Sequence, residues 1–113
     1  MKPETDPFSV VSEPSAAETR LRLRGQVDRD AEPPLLAAFD AAADHGATRV
    51  VLDLSDTTYI NSSGLASIVA LLGHARAANV AIAARGLTDH YRHVFEITRL
   101  SDLIELDPTE ASP

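Results

Sequence analysis

Polar and apolar residues alternate with period two between Thr19 and Gly25: Thr19, Leu21 and Leu23 fall on one side, Arg20, Arg22 and Arg24 on the other. Successive side chains of an extended chain point to opposite faces, so the pattern predicts a strand with one buried face. Gly25 and Asp28 mark its exit, and a shorter apolar segment, Phe8 to Ser12, precedes it and is stopped by Pro14. Downstream the period changes. Pro33-Pro34 suit a first helical turn, and Leu35, Phe39 and Ala42 recur at helical spacing until His45-Gly46 supply a stop. Arg49-Val50-Val51-Leu52-Asp53-Leu54 is apolar on both faces apart from its charges, which predicts a central strand covered on both sides, or on one side by helices. Behind Asn61-Ser62-Ser63-Gly64, residues Leu65, Ile68, Val69, Leu72 and Ala75 form a helical stripe that ends near Asn79. Val80 to Ala83 reads as a short buried strand ended by Arg85-Gly86. Thr88 caps a third helix carrying Tyr91, Val94 and Phe95, and Leu103 to Leu106 reads as a last strand.

This order is that of an α/β domain. Its second half alternates strand and helix, which favours parallel neighbours joined by right-handed crossovers. The expected core draws Leu21, Leu23, Val50, Leu52, Leu54, Val80 and Ile82 from the sheet. Leu35, Phe39, Leu65, Ile68, Val69, Leu72, Val94 and Phe95 cover it from the helices. A chain of 113 residues holds one such core, placed here in residues 8–106. The Pro-, Asp-, Glu- and Ser-rich stretches 1–7 and 107–113 are expected to be flexible tails.

Composition narrows the function. Ten Lys and Arg against 17 Asp and Glu leave a net charge of −7, and aromatic residues make up 4% of the chain with no Trp. Such a surface is poorly suited to a phosphate backbone or to stacked bases, so nucleic acid is not an expected partner. The absence of Cys excludes disulfides, thiolate metal sites and thiol nucleophiles. The apolar run Ile68 to Leu72 is far short of the ~20 residues that span a bilayer. The first residues lack the apolar stretch of a signal peptide, and neither end carries a lipidation pattern, so a cytoplasmic setting without membrane attachment is expected.

Catalytic patterns are missing. The sequence contains no phosphate loop, no dinucleotide fingerprint, no H-E-x-x-H and no G-x-S-x-G elbow. Ser63 sits at a strand-to-helix turn, but His74 lies three helical turns further along the same element and points away, so the hydroxyl has no neighbouring base. His90-x-x-His93 with Asp89 and Glu96 offers too few ligands for a metal centre, and a solvated helix face outweighs that reading. The Arg20, Arg22 and Arg24 stripe reads first as a solvated strand face and second as a docking face for an acidic partner. No catalysis, metal or cofactor is expected.

The segment Val51 to Leu65 carries the informative arrangement: a buried strand, a polar turn, the pair Tyr59-Ile60, then Asn61-Ser62-Ser63-Gly64-Leu65. Asn61 or Ser62 can cap the helix, and Ser63 then lies at the positive end of the helix dipole, where a phosphate would be stabilised. Gly64, without a Cβ, is expected to let another molecule's backbone come close.

This stretch resembles the signature of the STAS-domain family, in particular the bacterial anti-sigma factor antagonists. There a strand ending in Asp-Leu-Ser leads to Asp-Ser-Ser-Gly-Leu-Gly at the start of a helix. Leu23-Arg24-Gly25-Gln26-Val27-Asp28 is similar to a second family element, and Gly86-Leu87-Thr88 through Phe95-Glu96-Ile97-Thr98-Arg99-Leu100 to the third helix. The likeness spans roughly Phe8 to Leu106. It implies a STAS-like four- to five-stranded mixed sheet packed with about three to four helices. It also implies a switch without catalysis of its own, in which the unphosphorylated antagonist binds an anti-sigma factor and frees sigma factor. The implied partner is a serine kinase of histidine-kinase-like ATPase fold, which phosphorylates Ser63 and is thereby released. A PP2C-type phosphatase reverses the mark. Asp28, Asn61, Ser62, Ser63, Gly64 and Leu65 are the implied partner-binding residues, with Asp53 in support. A free antagonist of this kind is expected to be a monomer; a STAS module of a stressosome or a transporter-associated complex is the alternative. Three positions depart from the pattern: Asn61 replaces Asp, Ala66 replaces the second Gly, and Arg99 stands where Gly is common.

Overall fold

The computed structural model describes residues 6–106. Five strands form one sheet in the order β1-β2-β3-β4-β5: β1 Ser9–Ser15, β2 Glu18–Val27, β3 Arg49–Ile60, β4 Ala81–Arg85 and β5 Glu105–Leu106. Only β1 and β2 are antiparallel; every other neighbouring pair is parallel. Three α-helices connect the strands, α1 Glu32–Asp44, α2 Ser62–Ala78 and α3 Asp89–Ile97, with one-turn 3-10 segments at Arg29–Ala31 and Leu100–Asp102. The mixed sheet and three helices match the expected architecture.

The period-two reading of β2 holds. Leu21 and Leu23 are fully buried and join Val50, Leu52, Leu54, Ile82 and Ala84 in the core, beneath Leu35 and Phe39 of α1 and Ile68, Leu71 and Leu72 of α2. The opposite sheet face buries Val51 and Ala83 and carries ion pairs. Arg22 reaches Glu13 and Asp56, and Arg49 bridges Glu18 and Glu105 across β2, β3 and β5. Both carboxylates hydrogen bond to the Arg49 guanidinium and raise its pKa further. The solvated reading of the arginine stripe therefore describes Arg22, which is tied to carboxylates of its own chain.

Several boundaries differ from expectation. β1 runs through Pro14, because a strand on the sheet edge tolerates a residue without an N–H. Gly25 does not end β2. Its φ of +83° produces a register shift against β3, and the strand continues to Val27. Asp6 and Pro7, expected in the N-terminal tail, lie against this bend: Gln26 N–H donates to the Asp6 carbonyl at 2.8 Å, and a Cβ on Gly25 would strike both backbone carbonyls. The remaining tail residues, 1–5 and 107–113, lie outside the described residues. The third helix ends at Ile97 with Thr98 as its C-cap, and Arg99 follows at φ +67°, the left-handed conformation that glycine adopts at no steric cost. Strand pairing to β4 is short at the far edge, where β5 holds two residues, Glu105–Leu106, rather than Leu103 to Leu106.

Candidate functional site

β3 is the element that builds the site. Expected to stop at Leu54, it extends to Ile60 because β2 continues beside it: Thr57 pairs with Gly25, Tyr59 with Gln26 and Ile60 with Val27. β4 stops earlier, opposite Asp53, so β3 projects beyond it. The residues expected to form a polar turn are thus strand. At its tip the Ile60 N–H donates to the Tyr91 hydroxyl of α3 at 3.0 Å, and the Asn61 N–H to the Val27 carbonyl at 3.3 Å.

Asn61 is the N-cap of α2. Its backbone is extended, and its side-chain oxygen accepts the Gly64 N–H at 2.8 Å. That bond satisfies one of the amides that a helix start leaves without an intrahelical partner. Ser62 and Ser63 fill the next two positions and are both exposed; Leu65 is half-buried. No acidic residue occupies the first turn of α2. An anion on either serine therefore meets the positive end of a 17-residue helix with no carboxylate in that turn to repel it.

Gly64 has a different role from the one expected. It is buried, and a Cβ built there would run into the backbone carbonyl of Val27. The glycine admits this chain's own β2 rather than another molecule. Gly64→Ala should accordingly push α2 away from β2, a strain of about 1–3 kcal/mol or more. In a domain of this size each kcal/mol lowers the melting temperature by roughly 4–8 °C. A variant that melts within about 2 °C of the parent would contradict this packing.

Ser67, which the sequence did not single out, secures the same junction. It is fully buried, and its hydroxyl lies 3.1 Å from the Asp28 carbonyl and 3.2 Å from the Ser63 carbonyl, to either of which it can donate. The signal was a hydroxyl inside an apolar stripe. The buried face of α2 reads Gly64, Ser67, Ile68, Leu71, Leu72, Ala75, so it is turned toward the glycine side of the predicted stripe. Leu71 replaces Val69, which is 47% exposed.

Asp28 is adjacent. It is half-buried, and its carboxylate accepts the Asp30 N–H at 2.9 Å, capping the 3-10 turn that follows β2. Its main chain thus supports Ser67 while its side chain is engaged locally. Asp53 is not brought to the loop. It lies seven positions before Ile60 along β3, roughly 23 Å at the rise of an extended chain. It is buried, and it accepts both the Ser55 hydroxyl at 2.7 Å and the Ser55 N–H at 3.0 Å. Burial raises the Asp53 pKa, but the two Ser55 hydrogen bonds together with Arg85 and Arg20 outweigh it and hold the carboxyl below its ordinary value. A depressed folded-state pKa contributes stability that is present above the unfolded value of about 3.9 and lost as pH falls through the folded value. Asp53→Asn should remove that dependence, so the urea midpoint of the variant should fall less steeply than the parent's below about pH 4. Parallel curves for the two proteins would refute it.

The histidines do not converge on Ser63. His74 approaches Asp40 of α1 at 3.6 Å, and His90 makes an edge contact with Tyr91. Among the described residues no group of three or more His, Asp or Glu side chains could hold a metal ion, and no helix is long and apolar enough to cross a membrane.

Residues 11–105 match the family described as Mlab, STAS domain. An anti-sigma-B factor antagonist of Listeria monocytogenes is 29% identical over 86 residues, covering 76% of this chain and 75% of that protein. Among solved structures, an anti-sigma factor antagonist from Mycobacterium paratuberculosis superposes with a TM-score of 0.69 at 23% identity, covering 91% of this chain and 87% of that one. The Bacillus cell fate determinant SpoIIAA in its phosphorylated form gives a TM-score of 0.65 at 17% identity, covering 89% and 91%.

Proposed function

The chain belongs to the STAS domain family, and from that premise we propose that it is an anti-sigma factor antagonist switched by phosphorylation of Ser63. It is a binding module and not an enzyme. The unphosphorylated form holds an anti-sigma factor serine kinase of histidine-kinase-like ATPase fold and so frees a sigma factor. Phosphorylation at Ser63 releases the kinase, and a PP2C-type phosphatase restores the first state. Asp28, Asn61, Ser62 and Leu65 frame the docking surface, with Gly64 buried beneath it where it seats α2 on β2, and the exchange takes place in the cytoplasm.

The observation that carries this reading is the exposure of Ser63 on the first turn of α2, above a junction fixed by the Asn61 cap, buried Gly64 and Ser67. A modifying enzyme can reach such a hydroxyl without disturbing the core. The relatives support it: the Listeria protein is named an anti-sigma-B factor antagonist, and SpoIIAA has been solved in both unphosphorylated and phosphorylated forms. Asn61 in place of the family's Asp keeps the cap and removes one negative charge beside the phosphate.

Ser62 is equally exposed, but Ser63 aligns with the family's acceptor beside glycine. Incubation with a candidate anti-sigma factor kinase and ATP should therefore place phosphate on Ser63, and Ser63→Ala should abolish incorporation. Mass spectrometry that finds phosphate solely on Ser62, or undiminished labelling of Ser63→Ala, would overturn the assignment.

A further inference from the structure

Away from Ser63, a trough of about 490 Å³ lies between the outer side of α2 and the sheet edge at β4 and β5. Its walls include Val69 and Leu72 of α2, Ile82 of β4 and Leu103. Val69 and Leu103 are 47% and 53% exposed, two of the five large apolar residues left open among the described residues. Its floor includes Gly73. A Cβ on Gly25, Gly64 or Gly86 would strike backbone of this chain, whereas one on Gly73 would meet nothing within 4 Å. A glycine inside a helix is less favourable than Ala, and no contact among the described residues requires this one.

The rim has a definite charge. Asp102 pairs with Arg99 at 2.8 Å, and Glu105 pairs with Arg49 at 3.1 Å. Arg76, in the last turn of α2, has no hydrogen bond or ion pair among the described residues. Asp102 and Glu105 are thus each engaged by an arginine of this chain, and among the described residues Arg76 is the guanidinium of this rim left for a ligand beside the apolar wall. The volume lies within the roughly 300–1,000 Å³ of small-molecule sites.

We propose that this trough binds an amphiphilic carboxylate. Its aliphatic tail lies along Val69, Leu72, Ile82 and Leu103, over Gly73. Its carboxylate takes the paired N–H donors of Arg76, the geometry that guanidinium and carboxylate share. The site is independent of the Ser63 switch, so failure of either leaves the other standing.

Dodecanoate titrated into the full chain below its micelle concentration tests this, with dodecanol and dodecyltrimethylammonium as headgroup comparisons. Saturable methyl shifts confined to Val69, Leu72, Ile82 and Leu103 are expected for dodecanoate. Arg76→Gln should weaken dodecanoate by about tenfold or more while leaving dodecanol unchanged. Gly73→Leu should block both ligands. Gly73→Ala, which meets open space, should melt at or above the parent temperature and so shows that the helix tolerates change at that position. Absence of saturable shifts, equal binding of the cationic amphiphile, or indifference to Arg76→Gln overturns the proposal. So does a dimer in sedimentation that Gly73→Leu dissociates, since the trough would then be covered by a second copy.

Discussion

Ser63→Asp should weaken binding to the cognate anti-sigma factor kinase by about 30-fold to several-thousand-fold, while the melting temperature moves by only a few degrees. The two halves of this result have separate physical causes. Inside the chain, Ser63 is exposed at the start of α2, where the dipole and the first amides favour negative charge by about 0.3–1 kcal/mol. The fold therefore accommodates the carboxylate, and an exposed substitution changes stability by about 0.5 kcal/mol or less. At the interface the same charge must leave water against a surface that fitted a hydroxyl. A buried charge left without a partner costs about 2–5 kcal/mol of binding, which gives the stated range of affinity. Authentic phosphate adds about −1.5 to −2 charge and should act more strongly. The mechanism is local repulsion without refolding. Calorimetry that found the phosphorylated chain largely unfolded, or titration that found its kinase bound as tightly as before, would refute it.

A second large effect falls on the core. Leu52→Ala should destabilise the chain by about 2–5 kcal/mol, the sum of lost transfer free energy and the cavity left behind. Leu52 is fully buried in β3, the middle strand of five, in register with Leu21 on one side and Ala84 on the other. Its neighbours are strands hydrogen-bonded on both edges, so the surroundings can collapse only partly into the space. Urea unfolding monitored by circular dichroism measures the loss. A change below about 1 kcal/mol, typical of peripheral sites, would remove Leu52 from the core.

The elements with a strong local signal were legible in the sequence. The alternation from Thr19 to Leu23 placed both buried leucines of β2, because period two has a single solution when one face is covered. Thr88 was legible as a cap, and the cap of α2 as Asn61 or Ser62, of which the structure selects Asn61, since a short polar side chain before an apolar stripe satisfies amides that the helix cannot. The exposure of Ser63 follows from the same cap, which fixes where the first turn begins.

Tertiary structure decided what depends on a neighbour distant in sequence. β3 runs to Ile60 only because β2 passes Gly25 and continues beside it, a pairing that joins residues more than 30 apart. The turn of the buried face on α2, with Leu71 inside and Val69 outside, follows from Gly64 resting on the Val27 carbonyl. A helical period alone gives the width of an apolar stripe, but not which side a second element will press. Asp53 shows the same limit: its acidic character was visible, whereas its removal from the Ser63 loop follows from the length of the strand between them. Local sequence thus determined the elements, the caps and the exposed serine. Packing between β2 and α2 decided how that serine is held, because one carbonyl and one missing Cβ meet only in the folded chain.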